Sequence, residues 1–173
     1  MMKACTIFHS SVGLYTKAIA HLNVIGDFIP PLFLRLILAV EFGTAGFEKF
    51  HGTNWFQEIT FPLPFNLLSP DISWNVATYF EIFGAIALVM GLATRFFSIS
   101  LVILTIVAIA SVHWPVQITN ISDLTTGYRI VDEAGDGLGN YKLPLLYIVM
   151  FLPLIFKGAG KISVDYLLSR KTC

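Results

Sequence analysis

The amino-acid sequence predicts an all-α membrane protein, a bundle of four transmembrane helices preceded by an interfacial amphipathic helix. Of its 173 residues, 55% are hydrophobic and only 13% are charged, whereas a soluble domain carries about 25% charged residues. Long apolar runs recur along the chain, and each run carries a few ionisable side chains. The net charge is zero and no basic stripe is present. The sequence therefore indicates a lipid bilayer as a partner and argues against nucleic acid.

The first segment, residues 1–26, is predicted to be a cytoplasmic amphipathic helix that lies in the membrane interface. Its apolar residues recur at steps of three and four, which is typical of one helix face: Phe8, Val12, Tyr15, Ile19 and Leu22. Residues 27–162 are predicted to form the four-helix transmembrane domain. Residues 163–173 are predicted to be a cytoplasmic tail.

Four apolar runs define the predicted spans, at about residues 31–50, 75–92, 96–114 and 143–157. Pro30 and Pro31 suit the first turn of the first span, where a backbone N–H has no helical partner. A span needs about 20 residues to cross the hydrocarbon layer. We therefore expect the fourth span to continue past Gly158 and Gly160.

The connections differ in length and polarity. Residues 53–74 form an apolar, proline-rich loop that we expect against the membrane surface, with Trp55 and Trp74 in an interfacial aromatic belt. The connection of residues 91–95 is so short that the second and third spans must be antiparallel neighbours. Residues 115–142 form a longer polar loop.

Lysine and arginine set the predicted orientation, because cytoplasmic loops carry an excess of these residues. Both termini and the 91–95 connection lie on the basic side, so we predict them to be cytoplasmic and the two long loops to be outside. The predicted location is a bacterial plasma (inner) membrane, crossed several times. The basic side collects eight cations: Lys3, Lys17, Arg35, Arg95, Lys157, Lys161, Arg170 and Lys171.

Three ionisable residues are predicted to converge in the periplasmic half of the bundle. At about 1.5 Å of rise per residue, Lys49, Glu81 and His113 fall at similar depths. One interpretation is a polar pocket, in which Lys49 and Glu81 pair and His113 binds a ligand or relays a proton, since intramembrane ionisable groups commonly mark sites. The other is an ion pair that only fixes the register of the helices.

Three further charged residues lie in or beside the spans. Glu41 falls near the midplane, where a carboxylate must find a partner or stay protonated, and we group it with the intramembrane polar cluster. Arg35 and Arg95 lie near span ends, where arginine reaches lipid phosphate and anchors a helix. We therefore predict a structural role for both arginines.

A metal site is not predicted. Glu48 and His51 share a helix face in a Glu-x-x-His spacing, as in di-iron bundles, but those bundles need two copies and further glutamates. Glu48, His51 and His113 form the one alternative ligand set that the sequence offers. Copper(I) prefers cysteine and methionine. Cys5 and Cys173 lie on the predicted cytoplasmic side, which is the wrong side for a periplasmic copper site, so direct copper transport is disfavoured.

Five short motifs occur in order in the predicted spans: Leu34–Leu36, Ala45–Lys49, Phe80–Gly84, Met90–Arg95 and Val112–His113. Together they resemble the signature of the DoxX family over roughly residues 31–157. Residues 61–64 and 160–166 most resemble the HvfX-type branch, which is associated with copper-responsive operons encoding bufferin-like peptides.

The resemblance implies four membrane helices and a link to redox chemistry, since the family includes a subunit of a thiosulfate:quinone oxidoreductase. It carries over five polar positions, and Glu41 is not among them: Arg35, Lys49, Glu81, Arg95 and His113. The chain has no flavin or haem motif of its own. A quinone in the bundle is therefore the carrier expected if the protein takes part in electron transfer.

Two functions follow as expectations. In the first, the chain is a redox-associated accessory subunit, at most one part of an oxidoreductase complex. Its periplasmic-side pocket would hold a quinone or small solute for a periplasmic or membrane partner protein. In the second, it is a non-catalytic scaffold that docks a periplasmic partner in a copper-stress, metal-stress or bufferin-type system.

Overall fold

The computed structural model describes the backbone of residues 2–114, residue 121 and residues 141–171, with side chains from residue 13 onward. Within these ranges the fold is entirely helical and contains no strand. Most of the polar loop predicted over residues 115–142, together with Cys173 and the side chains of residues 1–12, lies outside the described residues. The helices are α1 (Met2–Gly26), α2 (Ile29–His51), α3 (Pro70–Met90), α4 (Thr94–Ala108), α5 (Lys142–Lys157) and α6 (Val164–Lys171).

Three of the described helical stretches are long and apolar enough to cross a membrane: Gly13–His51, Pro70–Met90 and Thr94–His113. These stretches confirm the expectation of an all-α protein with membrane-spanning helices. Helix α5 has only 16 residues, fewer than the 20 or so that a span needs, so the fourth span stays a prediction. Helix α1 covers the predicted amphipathic segment, and its interfacial position also stays a prediction.

Two helix boundaries differ from the expectation. Helix α3 begins at Pro70, inside the predicted loop, because the Ser69 hydroxyl accepts a hydrogen bond from the Ile72 N–H and proline fits the first turn. Helix α5 ends at Lys157, so its predicted continuation past Gly158 and Gly160 is wrong. Glycine is the residue most often found just beyond a helix end, and the Gly158 N–H still donates to the Leu154 carbonyl.

Helices α2 and α3 pack closely because small residues line the contact. A Cβ atom on Gly46 would lie 2.9 Å from Ile82 Cγ1 and 3.0 Å from Glu81 Cβ, and one on Gly43 would lie 3.3 Å from Ala85 Cβ. Such residues allow the backbones of membrane helices to approach. The apolar core beside this contact contains five side chains with no exposed surface: Leu38, Leu88, Leu101, Phe151 and Leu154.

We call the two ends of the bundle the loop end and the turn end. The loop end contains residues 52–69, which fold back over α3 in two short 3₁₀ turns, Phe56–Glu58 and Phe65–Leu67. Phe56 is buried, and its ring meets the Trp74 ring edge-on with centroids 5.1 Å apart. The turn end contains the connection between α3 and α4, residues 91–93, together with α6.

Arg35 holds the turn end together from inside the bundle. Its side chain is 1% exposed, and its guanidinium donates to the Leu88 carbonyl at 3.1 Å and to the Ile162 carbonyl at 2.5 Å. The last carbonyls of a helix have no helical partner, so Arg35 supplies a donor to the end of α3. The same donor group joins α3 to the segment that precedes α6.

Asp165 at the start of α6 supplies hydrogen-bond acceptors to the start of α4. Its carboxylate accepts hydrogen bonds from the backbone N–H groups of Ala93 at 2.7 Å and Thr94 at 2.9 Å. These groups lie at the N-terminus of α4, where a negative charge is stabilising. The short helix α6 is thereby fixed to the transmembrane bundle.

We expect Asp165→Ala to lower the free energy of unfolding by about 1–2 kcal/mol, because two N–H groups at the α4 N-terminus lose their acceptor. Asp165→Asn keeps one oxygen acceptor and should lose about half as much. Unfolding of the purified protein in mixed micelles, followed by circular dichroism, measures both. Equal stability of the Asp165→Ala variant and the wild type would contradict this role.

Candidate functional site

Lys49 and Glu81 form an ion pair between α2 and α3 near the loop end. The Lys49 Nζ atom lies 2.8 Å from Glu81 Oε2 and 3.0 Å from Glu81 Oε1, so both carboxylate oxygens accept from the ammonium. The side chains are only 17% and 11% exposed. Gly46, one turn before Lys49, makes this geometry accessible because Glu81 packs directly over its bare Cα.

Burying this ion pair in a bundle costs hydration free energy, and removing one partner costs free energy as well. Two charges removed from water lose several kcal/mol of hydration each, which their attraction offsets only in good geometry. Lys49 also lies in the last turn of α2, where a positive charge interacts favourably with the helix dipole. The pair is therefore stable as a unit, whereas either charge alone would be a buried charge with no counterion.

A cavity of about 260 Å³ opens beside this ion pair. Most of its wall is apolar and comes from three elements, namely the 52–69 segment, α3 and the end of α4. The aromatic part of the wall consists of Trp55, Phe56, Phe61 and Phe65, and the polar part of Lys49, Ser73, Glu81, Ser111 and His113. An apolar enclosure with a few convergent polar groups is the usual form of a small-molecule site.

The end of α4 reaches the cavity through a π-helical turn, Ile109–His113. Ser111 and His113 from this turn both line the cavity, and the Ser111 hydroxyl donates to the Val107 carbonyl at 2.8 Å. Single π-helical turns inside α-helices frequently occur at functional sites. The structure thus brings His113 to the same cavity as Lys49 and Glu81.

Ser73 and Ser111 are polar wall residues that sequence reasoning missed. The Ser73 hydroxyl is buried and has no hydrogen-bond partner among the described residues, although it lines the cavity. A signal for it exists in the sequence, since Ser73 and Ala77 precede Glu81 at steps of four and so share its helix face. Ser111 follows Val107 and Leu104 at helical spacing in the same way.

Glu41 lies away from the cavity and contacts α5. Its carboxylate accepts a hydrogen bond of 2.5 Å from the Tyr147 hydroxyl on α5, and it does not line the cavity. The Tyr147 ring packs against Phe42, with centroids 5.8 Å apart. The predicted cluster is therefore divided, with Glu41 joining α2 to α5 and the other three residues surrounding the cavity.

The two arginines also lie away from the cavity. Arg95 is exposed at the turn end and donates to the Phe156 carbonyl at 3.2 Å, and its anchoring role stays a prediction. Arg35 differs from the expected anchor, since its guanidinium is buried and binds backbone carbonyls rather than reaching outward.

The alternative metal ligands are not brought together. His51 Nδ1 is 3.0 Å from the carbonyl oxygen of Phe47 in its own helix, and Glu48 is exposed. His113 lines the cavity on another helix. In the part of the chain that the structure describes, no three residues of the types His, Cys, Asp and Glu are grouped as metal ligands.

The chain is similar in sequence to known proteins. The family model described as DoxX matches residues 31–114, a range that contains Lys49, Glu81 and His113. A protein of Haemophilus influenzae described as uncharacterized is 43% identical over 148 residues, which cover 84% of this chain and 87% of that protein. No solved structure matches the chain.

Proposed function

The chain belongs to the DoxX family, and we propose that it binds a small amphipathic ligand, such as a quinone, in the cavity beside Lys49 and Glu81. In this role it is an accessory subunit that presents the ligand to a redox partner protein, rather than an enzyme complete in itself. The observation that carries the proposal is the convergence of Lys49, Glu81 and His113 from three helices on one otherwise apolar cavity.

The chemistry of the wall supports a quinone-like ligand. A quinone ring is flat and apolar, and aromatic side chains pack well against such rings. Its carbonyl oxygens accept hydrogen bonds, for which the Lys49 ammonium and the Ser73 hydroxyl are donors on the wall. The carboxylate of Glu81 and the imidazole of His113 are suitable groups to exchange a proton when a carbonyl is reduced to a hydroxyl.

The proposed topology has four spans, with α5 as the fourth and both termini in the cytoplasm of a bacterial plasma membrane. Basic residues support this orientation because they gather at the turn end, at Arg95, Lys157, Lys161, Arg170 and Lys171. The cavity then lies on the periplasmic side. Within the family we assign the chain to the HvfX-type branch, on the motifs at residues 61–64 and 160–166.

A second candidate function is that of a scaffold in a copper-stress, metal-stress or bufferin-type system. It is favoured by the exposed apolar side chains of the 52–69 segment, where Leu63 is 75% and Leu67 77% exposed. A periplasmic partner could bind there without any ligand in the cavity. The scaffold function predicts that filling the cavity has no effect on activity in cells.

Filling part of the cavity should weaken quinone binding. We expect Ala108→Phe, which adds a ring to the cavity wall, to raise the dissociation constant for a short-chain quinone at least tenfold, because the ring would occupy part of the 260 Å³ that the ligand needs. Quenching of tryptophan fluorescence measures binding, since Trp55 lines the cavity. Ala110→Phe is the matched control, because Ala110 is exposed on the same turn and does not line the cavity. Equal quenching curves for the two variants would contradict the proposal.

A further inference from the structure

A second, larger cavity lies at the turn end of the bundle, whereas the ion pair lies near the loop end. Its volume is about 600 Å³. Three cationic side chains from separate elements line it: Arg95 in the first turn of α4, Lys157 at the end of α5, and Lys161 in the segment between α5 and α6. None of these residues has a part in the proposed quinone site.

Two carboxylates also line this cavity, but both are already engaged. Asp27 forms an ion pair with Lys161, with 2.7 Å between Oδ2 and Nζ, and Asp165 accepts from the two backbone N–H groups at the start of α4. The hydrogen bond with Asp27 raises the pKa of Lys161.

The other two cations, Arg95 and Lys157, have N–H donors that no acceptor in the described part of the chain engages. Arg95 uses one guanidinium nitrogen, Nη2, on the Phe156 carbonyl, and the remaining N–H groups can reach a ligand. Lys157 is exposed and has no hydrogen bond or ion pair within the described residues. A planar guanidinium beside an ammonium is an arrangement that suits a phosphate group, which binds arginine in a bidentate manner.

Apolar side chains lie next to these cations. Phe96 lines the cavity and is 58% exposed, while Phe156, adjacent in sequence to Lys157, is 75% exposed. A ligand that fits both features has an anionic head and an apolar tail. Free phosphate would satisfy the cations alone, whereas an anionic phospholipid would also cover the exposed rings.

We infer that this cavity binds an anionic phospholipid, with the headgroup phosphate held by Arg95 and Lys157 and the acyl chains lying along Phe96 and Phe156. Basic pockets between transmembrane helices commonly bind such headgroups. The segment that carries Lys161 is held beside the connection between α1 and α2, since the Lys161 N–H donates to the Asp27 carbonyl at 3.0 Å. The lipid would join the ends of α4 and α5 to the segment that precedes α6.

The test uses the full chain in nanodiscs that contain equal amounts of phosphatidylglycerol and phosphatidylcholine, followed by native mass spectrometry of the retained lipids. The wild type should retain phosphatidylglycerol at least tenfold over phosphatidylcholine. Arg95→Gln combined with Lys157→Gln should lower the affinity for phosphatidylglycerol roughly 25-fold, because each cation near a membrane surface contributes about a factor of five. Lys157→Gln alone, at an exposed position, should lower it about fivefold and serves if the double variant does not fold.

The matched control removes the same charge from the same end of the protein. Arg170→Gln combined with Lys171→Gln changes two exposed cations of α6 that do not line the cavity, and this variant should retain phosphatidylglycerol like the wild type. Equal losses in the two double variants would overturn the inference, as would equal retention of the two lipids by the wild type. Titration with inorganic phosphate separates the sources, and saturable phosphate binding without a lipid preference would also overturn it.

Discussion

Replacing Glu81 with leucine is expected to lower the free energy of unfolding by about 3–5 kcal/mol, because the Lys49 ammonium is left buried without its counterion. Replacing both partners, as Lys49→Met with Glu81→Leu, should bring stability back to within about 1–2 kcal/mol of the wild type. A buried ion pair can commonly be exchanged for apolar residues of similar size at little cost. Chemical unfolding in mixed micelles gives the free energies of all four proteins in this double-mutant cycle.

Glu48→Leu is the control for this cycle. Glu48 is next to Lys49 on α2 but is exposed, so its replacement should change the free energy of unfolding by no more than about 0.5 kcal/mol. If Glu81→Leu were no more destabilising than Glu48→Leu, the ion pair would not hold α2 against α3. An interaction energy near zero in the cycle would lead to the same conclusion.

Gly91→Ala is expected to be the most damaging single change at the turn end. Gly91 adopts a φ of 67°, which disfavours residues with a Cβ atom. The added Cβ would also lie 2.1 Å from Arg35 Nη1 and 2.5 Å from Ser163 Cβ. Arg35 would have to leave the carbonyls at the end of α3, so we expect a loss of about 3 kcal/mol or more.

The melting temperature of the purified protein measures this effect. Gly13→Ala is the matched control, since a Cβ at Gly13 meets nothing within 4 Å and alanine is the better helix former. The control should melt at or slightly above the wild-type temperature. A Gly91→Ala variant that melts together with the control would show that the Arg35 guanidinium does not fill the space beside Gly91.

Periodicity and length were sufficient to predict the helical part of the fold. Helix α2 differs from its predicted bounds of 31–50 by one or two residues at each end, because proline and a long apolar run mark it clearly. The start of α3 was missed because its signal is a local cap at Ser69 and Pro70, which precedes the apolar run. The end of α5 was missed because a required span length outweighed the glycine at position 158.

Contacts with backbone groups were beyond prediction from the sequence. Helical depth places Lys49 and Glu81 at one level, and charge complementarity then suggests a partner for each. Arg35 binds carbonyl oxygens, which every residue carries, so no sequence pattern identifies its partners. Glu41 and Tyr147 are 106 residues apart, and only the packing of α5 against α2 brings them together.

The fold of residues 52–69 was the other missing part. The sequence showed an apolar loop, and we expected it on the membrane surface. Its position at the membrane surface stays a prediction, and the structure adds that Phe56 packs on Trp74 and that the loop forms one wall of the cavity. Without that wall, Lys49, Glu81 and His113 would be three polar groups near a surface rather than the lining of a cavity.

The decisive measurement is the amount of quinone that remains bound to the Lys49→Met, Glu81→Leu double variant after purification with native lipid. Mass spectrometry of the intact protein compares it with the wild type prepared in parallel. Because this variant should fold normally, the comparison separates ligand binding from stability. We predict that the wild type retains quinone and that the folded double variant retains at least tenfold less. Equal retention by the two proteins would contradict a ligand site at the ion pair and would leave Lys49 and Glu81 with a structural role alone.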